Sequence, residues 1–491
     1  MKTINPAEKG RPTAVLREGR GFTTAVPMAA QTAVPRGRPT AAHPVSREFT
    51  TAVPMAAQTA ARRARPTAAR PVNRGFTMGV PTAALTAGPI ADPLYRITGL
   101  QLEEFAARHW DAAPLFAAAA QLPGGGFDDL LSLGAVDELV SQRGLRTPFV
   151  RMSRDGELVS SSRFTRSAGA GAEISDQIAD DRVLVEFEAG ATLVLQALHR
   201  TWFPIQTFAR ELSAQLGHPV QANAYVTPSQ NTGFAPHYDV HDVFVLQFAG
   251  RKHWRIYEPV LNAPRRDQPW QERRAAVEAR AAQRPLIDRI LERGDVLYLP
   301  RGYIHAATSL DEISGHLTIG VHPVTRRMLA EHAFASLCDD AELRRSLPIG
   351  VNLCDEKALE SDFAATIAAL RTAIDGLDRK TAASGIARYL ASAMRPAALA
   401  PFDQIAASTE LAPERRVRLR PGLRVLVQDG GEQVVIALPE REITLPAIFG
   451  EAARVATSSS SISAAELPGI DIEQGMALLS KLLRAGVLVP V

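Results

Sequence analysis

The sequence predicts an α+β protein, mainly β at its centre, built around a β-sandwich or small barrel. Three observations carry this. Between Phe149 and His322, short apolar runs alternate with turn residues, among them QANAYV, DVFVLQFAG, KHWRIYE, DVLYLP and SGHLTIGV. Strands in such close succession mark a sandwich or barrel rather than βαβ units. From residue 325 the spacing becomes helical, and the first ninety residues show no apolar periodicity from which a core could be built.

The tail comes first. Residues 1–90 hold 13 Lys/Arg against 3 Asp/Glu, which leaves 42 against 49 in the remainder, so a basic tail precedes a mildly acidic body. RPT recurs at Arg11, Arg38 and Arg65, and Phe22, Phe49 and Phe76 keep the same period of 27. A period of that size suits a solenoid, yet units of Pro, Ala, Thr and Arg cannot bury a shared core, so residues 1–92 are expected to be disordered. An organelle leader and a true start at Met78 are the alternatives for this stretch.

Order is expected from Pro93, with a catalytic unit over 93–324, a helical module over 325–402 and a small unit over 403–491. Leu100, Leu102, Phe105 and Trp110 are spaced for one helix, and FDDLLSLGAVDELVSQRG offers another. VLVEF and ATLVLQAL read as strands, and PIQTFARELSAQLG reads as a helix that Gly217 ends. RRMLAEHAFASL, DFAATIAALRTAIDGL and GIARYLASAM are helical. GLRVLVQDGGEQVVIAL predicts a hairpin turning at Asp429, Gly430 and Gly431. The final stretch predicts a helix capped by Asp471 and Gln474, closed by Gly486 and followed by a strand, an order that suggests a winged helix. No apolar run is long enough to span a bilayer. Cys338 and Cys354, the only cysteines, fall in a stretch that reads as helical and offer neither a disulfide framework nor a thiolate zinc site, as expected of a reducing, cytoplasmic setting.

The chemistry gathers in HYDVHDVFVLQFAGRKHWRIYEP, residues 237–259. His237 and Asp239 are one residue apart, so an extended chain aims both at one face. His305, in GDVLYLPRGYIHAA, offers a third ligand. Two imidazoles and a carboxylate leave coordination positions open, which suits non-haem Fe(II), and zinc accepts the same set. An ordinary strand with polar ends is the competing reading. The apolar run VFVLQF argues against it, because a buried His and Asp need a partner such as a metal. Lys252 shares a strand face with Trp254. If that face is interior, its ammonium needs an anion, for which the far carboxylate of 2-oxoglutarate would serve, and Tyr225 could donate to the same carboxylate. His241 is expected to be a hydrogen-bonded structural residue, His316 and His322 core or rim residues, and His109 a packing residue.

NAYVTP, the 237–259 segment, GDVLYLPRGYIHAA and GHLTIGV, in this order, resemble the JmjC-type ribosomal oxygenases, protein hydroxylases of the cupin superfamily that use Fe(II) and 2-oxoglutarate. The likeness runs from about Phe105 to the C-terminus and excludes the tail. It implies a double-stranded β-helix (cupin jelly roll) with a helical dimerisation module and a C-terminal winged-helix domain. It also implies that His237, Asp239 and His305 bind iron, that Lys252 and Tyr225 hold the distal carboxylate of 2-oxoglutarate, and that Asn223 lies close to it. Lysine at 252 resembles the branch that hydroxylates histidine rather than the bacterial branch, which has arginine there and modifies arginine. Val240, where an acidic residue is often found, and Gly320, where some relatives are polar, depart from the pattern.

The resemblance implies a dioxygenase that couples decarboxylation of 2-oxoglutarate by O2 to hydroxylation of a His or Arg side chain in a ribosomal or translation-associated protein. A homodimer is expected, with no membrane partner and no requirement for nucleic acid. Two alternatives stand beside it. One keeps the chemistry but acts on a small molecule or biosynthetic peptide. The other is a non-enzymatic module contacting nucleic acid or protein, against which the complete triad and the sparse basic residues of the last helix weigh.

Overall fold

Side chains alternate across a strand, so a strand buried on both faces must serve two different neighbours. The computed structural model, which describes residues 92–171, 173–231, 234–337, 341–377 and 379–491, shows both neighbours. The repeats, Met78 and Cys338 lie outside the described residues.

Ten strands build the centre: β1 (Leu115–Ala117), β2 (Val150–Arg154), β3 (Thr192–Leu195), β4 (Val220–Thr227), β5 (Asp242–Ala249), β6 (Lys252–Tyr257), β7 (Ile287–Leu291), β8 (Val296–Leu299), β9 (Ile304–Ser309) and β10 (Ser314–Val321). The larger sheet has the order β1-β8-β5-β10-β4-β3-β2, with Glu157–Leu158 at its edge, and the smaller has β7-β6-β9. All the pairings are antiparallel, as in a cupin jelly roll.

The outer face of the larger sheet carries Ala222, Ala224, Phe244, Leu246, Leu317 and Ile319. It packs on Leu94, Ile97, Phe105, Phe208 and Leu212 from helices Pro93–Thr98, Leu102–Arg108 and Phe203–Leu216. Gly217, with φ of 72°, ends the last of these as expected. The inner face carries Val243, Val245, Leu297 and Leu299, which meet Trp254, Ile256 and Leu291 of the smaller sheet. Each such side chain contributes about 1.5–3 kcal/mol on full burial. The apolar contacts fill one part of the space between the sheets and leave the rest as a polar chamber.

VLVEF is not a strand. It lies in helix Asp180–Glu188, where Asp180 and Asp181 occupy the first turn and favour the helix N-terminus. Val183 and Glu186 turn inward at helical spacing, and Val185, which alternation would have buried, is 61% exposed. Cys354 is exposed in a turn rather than in a helix.

Helices Arg326–Leu337, Glu360–Asp375 and Arg379–Ala393 follow the jelly roll. In the C-terminal unit the hairpin pairs Leu426–Asp429 with Gln433–Ala437 around Gly431, whose φ is 79°. Asp471 accepts from the Gln474 backbone N–H at 2.8 Å, and the Gln474 side chain accepts from Asp471 N–H at 3.2 Å. These cap helix Ile472–Arg484, whose Leu478, Leu479, Leu482 and Leu483 form a core with Val434, Ile436, Ala452 and Ala456. Among the described residues no helix is long and apolar enough to cross a membrane.

Candidate active site

His237 precedes β5, and His305 is the second residue of β9. The two meet as an isolated antiparallel bridge, with His237 N–H donating to His305 O at 3.2 Å and His305 N–H donating to His237 O at 2.8 Å. Between His237 and Asp239, Tyr238 points the other way. It is buried against Tyr257, Val277 and Ile304, and its hydroxyl donates to Gln268 O at 2.9 Å. That anchor turns His237 and Asp239 to the chamber, as alternation predicts.

The ligating atoms offered by His237, Asp239 and His305 all lie within 4.8 Å of one another. His237 Nδ1 is 2.7 Å from Ala235 O and His305 Nδ1 is 3.1 Å from Tyr303 O. Carbonyls only accept, so each Nδ1 carries the proton and each Nε2 keeps its lone pair for an ion. Burial pushes the His305 imidazole down to about 4, with the neighbouring His237 acting in the same direction. Burial by itself would raise the Asp239 carboxyl. The surrounding imidazoles of His241, His305, His237 and His322 more than offset this and hold it below the usual carboxylate range. Two imidazoles that keep Nε2 for an ion and an ionised carboxylate thus face one point, a donor set that fits a divalent ion with open positions.

The Pro300-Arg301-Gly302 turn is locked from beneath. Asp242, fully buried, accepts from Arg301 N–H at 2.9 Å and from the Tyr298 hydroxyl at 3.2 Å. Its carboxylate also lies 3.4 Å from the Arg301 guanidinium, which reaches Asp111 at 2.9 Å. Gly302 N–H donates to Asp239 O at 3.0 Å and so fixes the ligand's backbone. Gly302 has φ of 93°, and a Cβ there would lie 2.5 Å from Leu261 O.

Directly paired residues of antiparallel strands share a face, so register maps the chamber. Arg151, Val194, Tyr225 and His316 form one row across β2, β3, β4 and β10. Ser153 pairs with Thr192 and Thr227 with Ser314, and the Thr192 and Thr227 hydroxyls, 3.2 Å apart, join them into the next. From the smaller sheet, Lys252 pairs with Ser309 and Trp254 with Ala307. Lys252 is 2% exposed, and its Nζ donates to Thr227 Oγ1 at 3.0 Å. Burial pushes this ammonium down to about 7. Burial, and then the charge of Asp239, raise the Tyr225 hydroxyl to about 12, so it stays protonated. Tyr225 stacks on His316 at 5.1 Å. Asn223 lies on the same face of β4, and its Oδ1 accepts from Ala197 N–H at 3.0 Å.

The expected face for Lys252 and Trp254 is therefore observed. His241 is hydrogen-bonded, with its Nε2 3.2 Å from Gln221 Nε2, and its ring lies 3.0 Å from where a Gly320 Cβ would stand. His322 packs against it, with ring centroids 5.0 Å apart, and His109 stacks on Phe105. Sequence reasoning missed four features: the hydroxyl row, the Asp242–Arg301 lock, the unpartnered buried Nδ1 of His316 and the unpartnered buried Nε of Arg151. Only the strand order reveals them.

Residues 200–329 match the JmjC domain family. This match places a JmjC-type domain within the jelly roll. The chain is similar to the ribosomal oxygenases over part of its length. The chain is 30% identical over 256 residues to ribosomal oxygenase 1 of Gallus gallus, covering 50% of this chain and 40% of that protein. It is 34% identical over 173 residues to the Homo sapiens protein of that name, covering 33% and 26%. Over 266 residues it is 27% identical to the bifunctional lysine-specific demethylase and histidyl-hydroxylase NO66 of Drosophila persimilis, covering 52% and 36%. The chain thus spans less than half the length of these relatives. Among solved structures, the Escherichia coli ribosomal oxygenase YcfD aligns over 80% of this chain and 98% of that one, with a TM-score of 0.47 and 18% identity. The same protein has been solved with cobalt and 2-oxoglutarate.

Proposed function

We propose that this chain is an Fe(II)- and 2-oxoglutarate-dependent dioxygenase that hydroxylates a histidine or arginine side chain of a ribosomal or translation-associated protein. The observation that carries the reading is the convergence of His237, Asp239 and His305 within 4.8 Å, above a chamber holding a buried lysine. His237 and His305 would hold iron through Nε2 and Asp239 through a carboxylate oxygen. When bound, iron with 2-oxoglutarate and oxygen supplies the oxidising chemistry for hydroxylation of an unactivated C–H bond.

The remaining roles belong to the chain itself. Lys252 spends one of its three N–H donors on Thr227 and keeps two for the distal carboxylate of 2-oxoglutarate. Tyr225, held protonated, donates to the same group, and Ser153 and Thr192 extend the hydroxyl floor around it. Asn223, on the same face of β4 as Tyr225, would help to orient the co-substrate. Val243, Val245, Leu297 and Leu299 exclude water behind it. Arg151 sits one row above the floor and makes no ion pair among the described residues. The co-substrate's charges are met by the metal and Lys252, so Arg151 is left to receive an accepting group of the substrate.

The 325–402 module exposes Leu329, Phe334, Phe363, Ile367 and Ile374, which supports a homodimerisation role. Helix Ile472–Arg484 followed by its strand supports a winged-helix reading of 403–491. The curated relatives' ribosomal oxygenase name supports a cytoplasmic or nuclear setting. The test is purified protein with Fe(II), ascorbate, 2-oxoglutarate and ribosomal proteins. Succinate should form together with a +16 Da product, and neither appearing would end the proposal.

A further inference from the structure

Many arginines of the described chain meet carboxylates, among them Arg96, Arg154, Arg163, Arg293, Arg301 and Arg416. One place gathers several that do not. A cleft of about 740 Å³, lined by none of the triad residues, lies between helix Phe203–Leu216, the loop before Pro401 and the C-terminal unit. Six arginines line it: Arg200, Arg210, Arg395, Arg420, Arg424 and Arg441. Glu440 is the only acidic residue in its wall.

The arginines are held in place by groups that leave their charge unmatched. Arg420 donates through Nε to Ala397 O at 2.6 Å, Arg441 donates to Ala485 O, and Arg424 donates to Met394 Sδ at 3.5 Å. Arg210 packs its stem on Gly422 and has Glu211 at 3.5 Å. Among the described residues the other five make no ion pair with a carboxylate. Burial holds the Arg420 guanidinium below its ordinary range, and burial, with the charges of Arg200 and Arg395 adding to it, pushes the His199 imidazole in the same wall down to about 4. Like charges so close repel one another unless an anion joins them.

We propose that this cleft binds the phosphate backbone of a single-stranded RNA segment. Guanidinium forks match phosphate oxygens in pairs, and several at one cleft match a repeating phosphate better than a single anion. The wall contains no Phe, Tyr or Trp on which bases would stack, so the contact reads backbone rather than sequence. The choice of RNA over DNA rests on the proposed ribosomal substrate; the anion site itself does not.

The experiment compares the full chain with an Arg395→Gln/Arg424→Gln/Arg441→Gln variant, three exposed positions outside the jelly-roll chamber. Fluorescence polarisation is followed from 50 to 300 mM KCl with three labelled dodecamers: oligouridylate, oligothymidylate and a polyglutamate peptide. Both proteins carry the same basic tail, so their difference reports the cleft. The expected result is a tenfold or greater loss of oligouridylate affinity at 100 mM KCl, with the salt slope shallower by about 2, from roughly 0.7 per lost phosphate contact. Equal affinities and slopes would overturn the site. Tighter wild-type binding of polyglutamate than of oligouridylate would overturn RNA as its ligand in favour of an acidic protein, and oligothymidylate binding tighter than oligouridylate would overturn it in favour of DNA. Succinate formation, measured in parallel, tests the oxygenase reading separately.

Discussion

His237 and His305 are backbone partners before they are ligands: they exchange both main-chain hydrogen bonds, and their imidazole centroids stand 4.4 Å apart. The distance between the two donors is therefore set by a pair of β hydrogen bonds. Replacing His237 with Ala should keep this bridge and remove only the donor. Mn(II) affinity, read by calorimetry, should fall by about a hundredfold or more, with the metal-free melting temperature within a few degrees of wild type. Retained Mn(II) binding would place the ion elsewhere.

Asp242 and Arg301 make a buried pair whose loss should be felt as stability. Asp242→Ala leaves a buried guanidinium with only Asp111 and should cost about 3–5 kcal/mol in urea unfolding. Asp242→Leu combined with Arg301→Met should recover most of it, because neither charge is then stranded.

Lys252 predicts a pH dependence with a definite sign. Its ammonium is lowered to about 7 by burial, and the proposed co-substrate carboxylate binds the protonated form. Affinity of the Mn(II)-loaded protein for N-oxalylglycine should be greatest below pH 7 and decline as pH rises above it, by up to about tenfold per unit. Lys252→Met should bind weakly at every pH between about 6 and 8.5 and show no such decline; a decline of equal steepness would assign the titration to another group.

Gly302→Ala should do two things at once. A Cβ at φ of 93° and 2.5 Å from Leu261 O costs about 1–3 kcal/mol or more. Shifting the turn also moves the donor that holds Asp239, so Mn(II) affinity should fall with stability. Chemical denaturation and metal titration of the same sample check both.

Arg151→Met should raise the KM for the proposed ribosomal protein substrate by about tenfold, the loss of one charge-assisted hydrogen bond. The Kd for N-oxalylglycine should change much less. If the co-substrate analogue weakens instead, Arg151 belongs to its subsite.

Local order was legible in the residues themselves. Gly217 ends its helix, Asp471 and Gln474 cap another, and the His237-Tyr238-Asp239 alternation fixes which side chains share a face, because each depends on neighbours within a few positions. VLVEF shows where that reading stops: a short apolar run satisfies either period, and Arg154 and Arg163 drawing Glu186 inward accompany the helix. The tertiary structure alone brought His305 onto His237, set Arg301 on Asp242 and aligned Ser153 and Thr192 with Thr227. Periodicity tells a strand which residues share a face but not which strand will lie opposite, and that choice is made by closure of the whole jelly roll around one core.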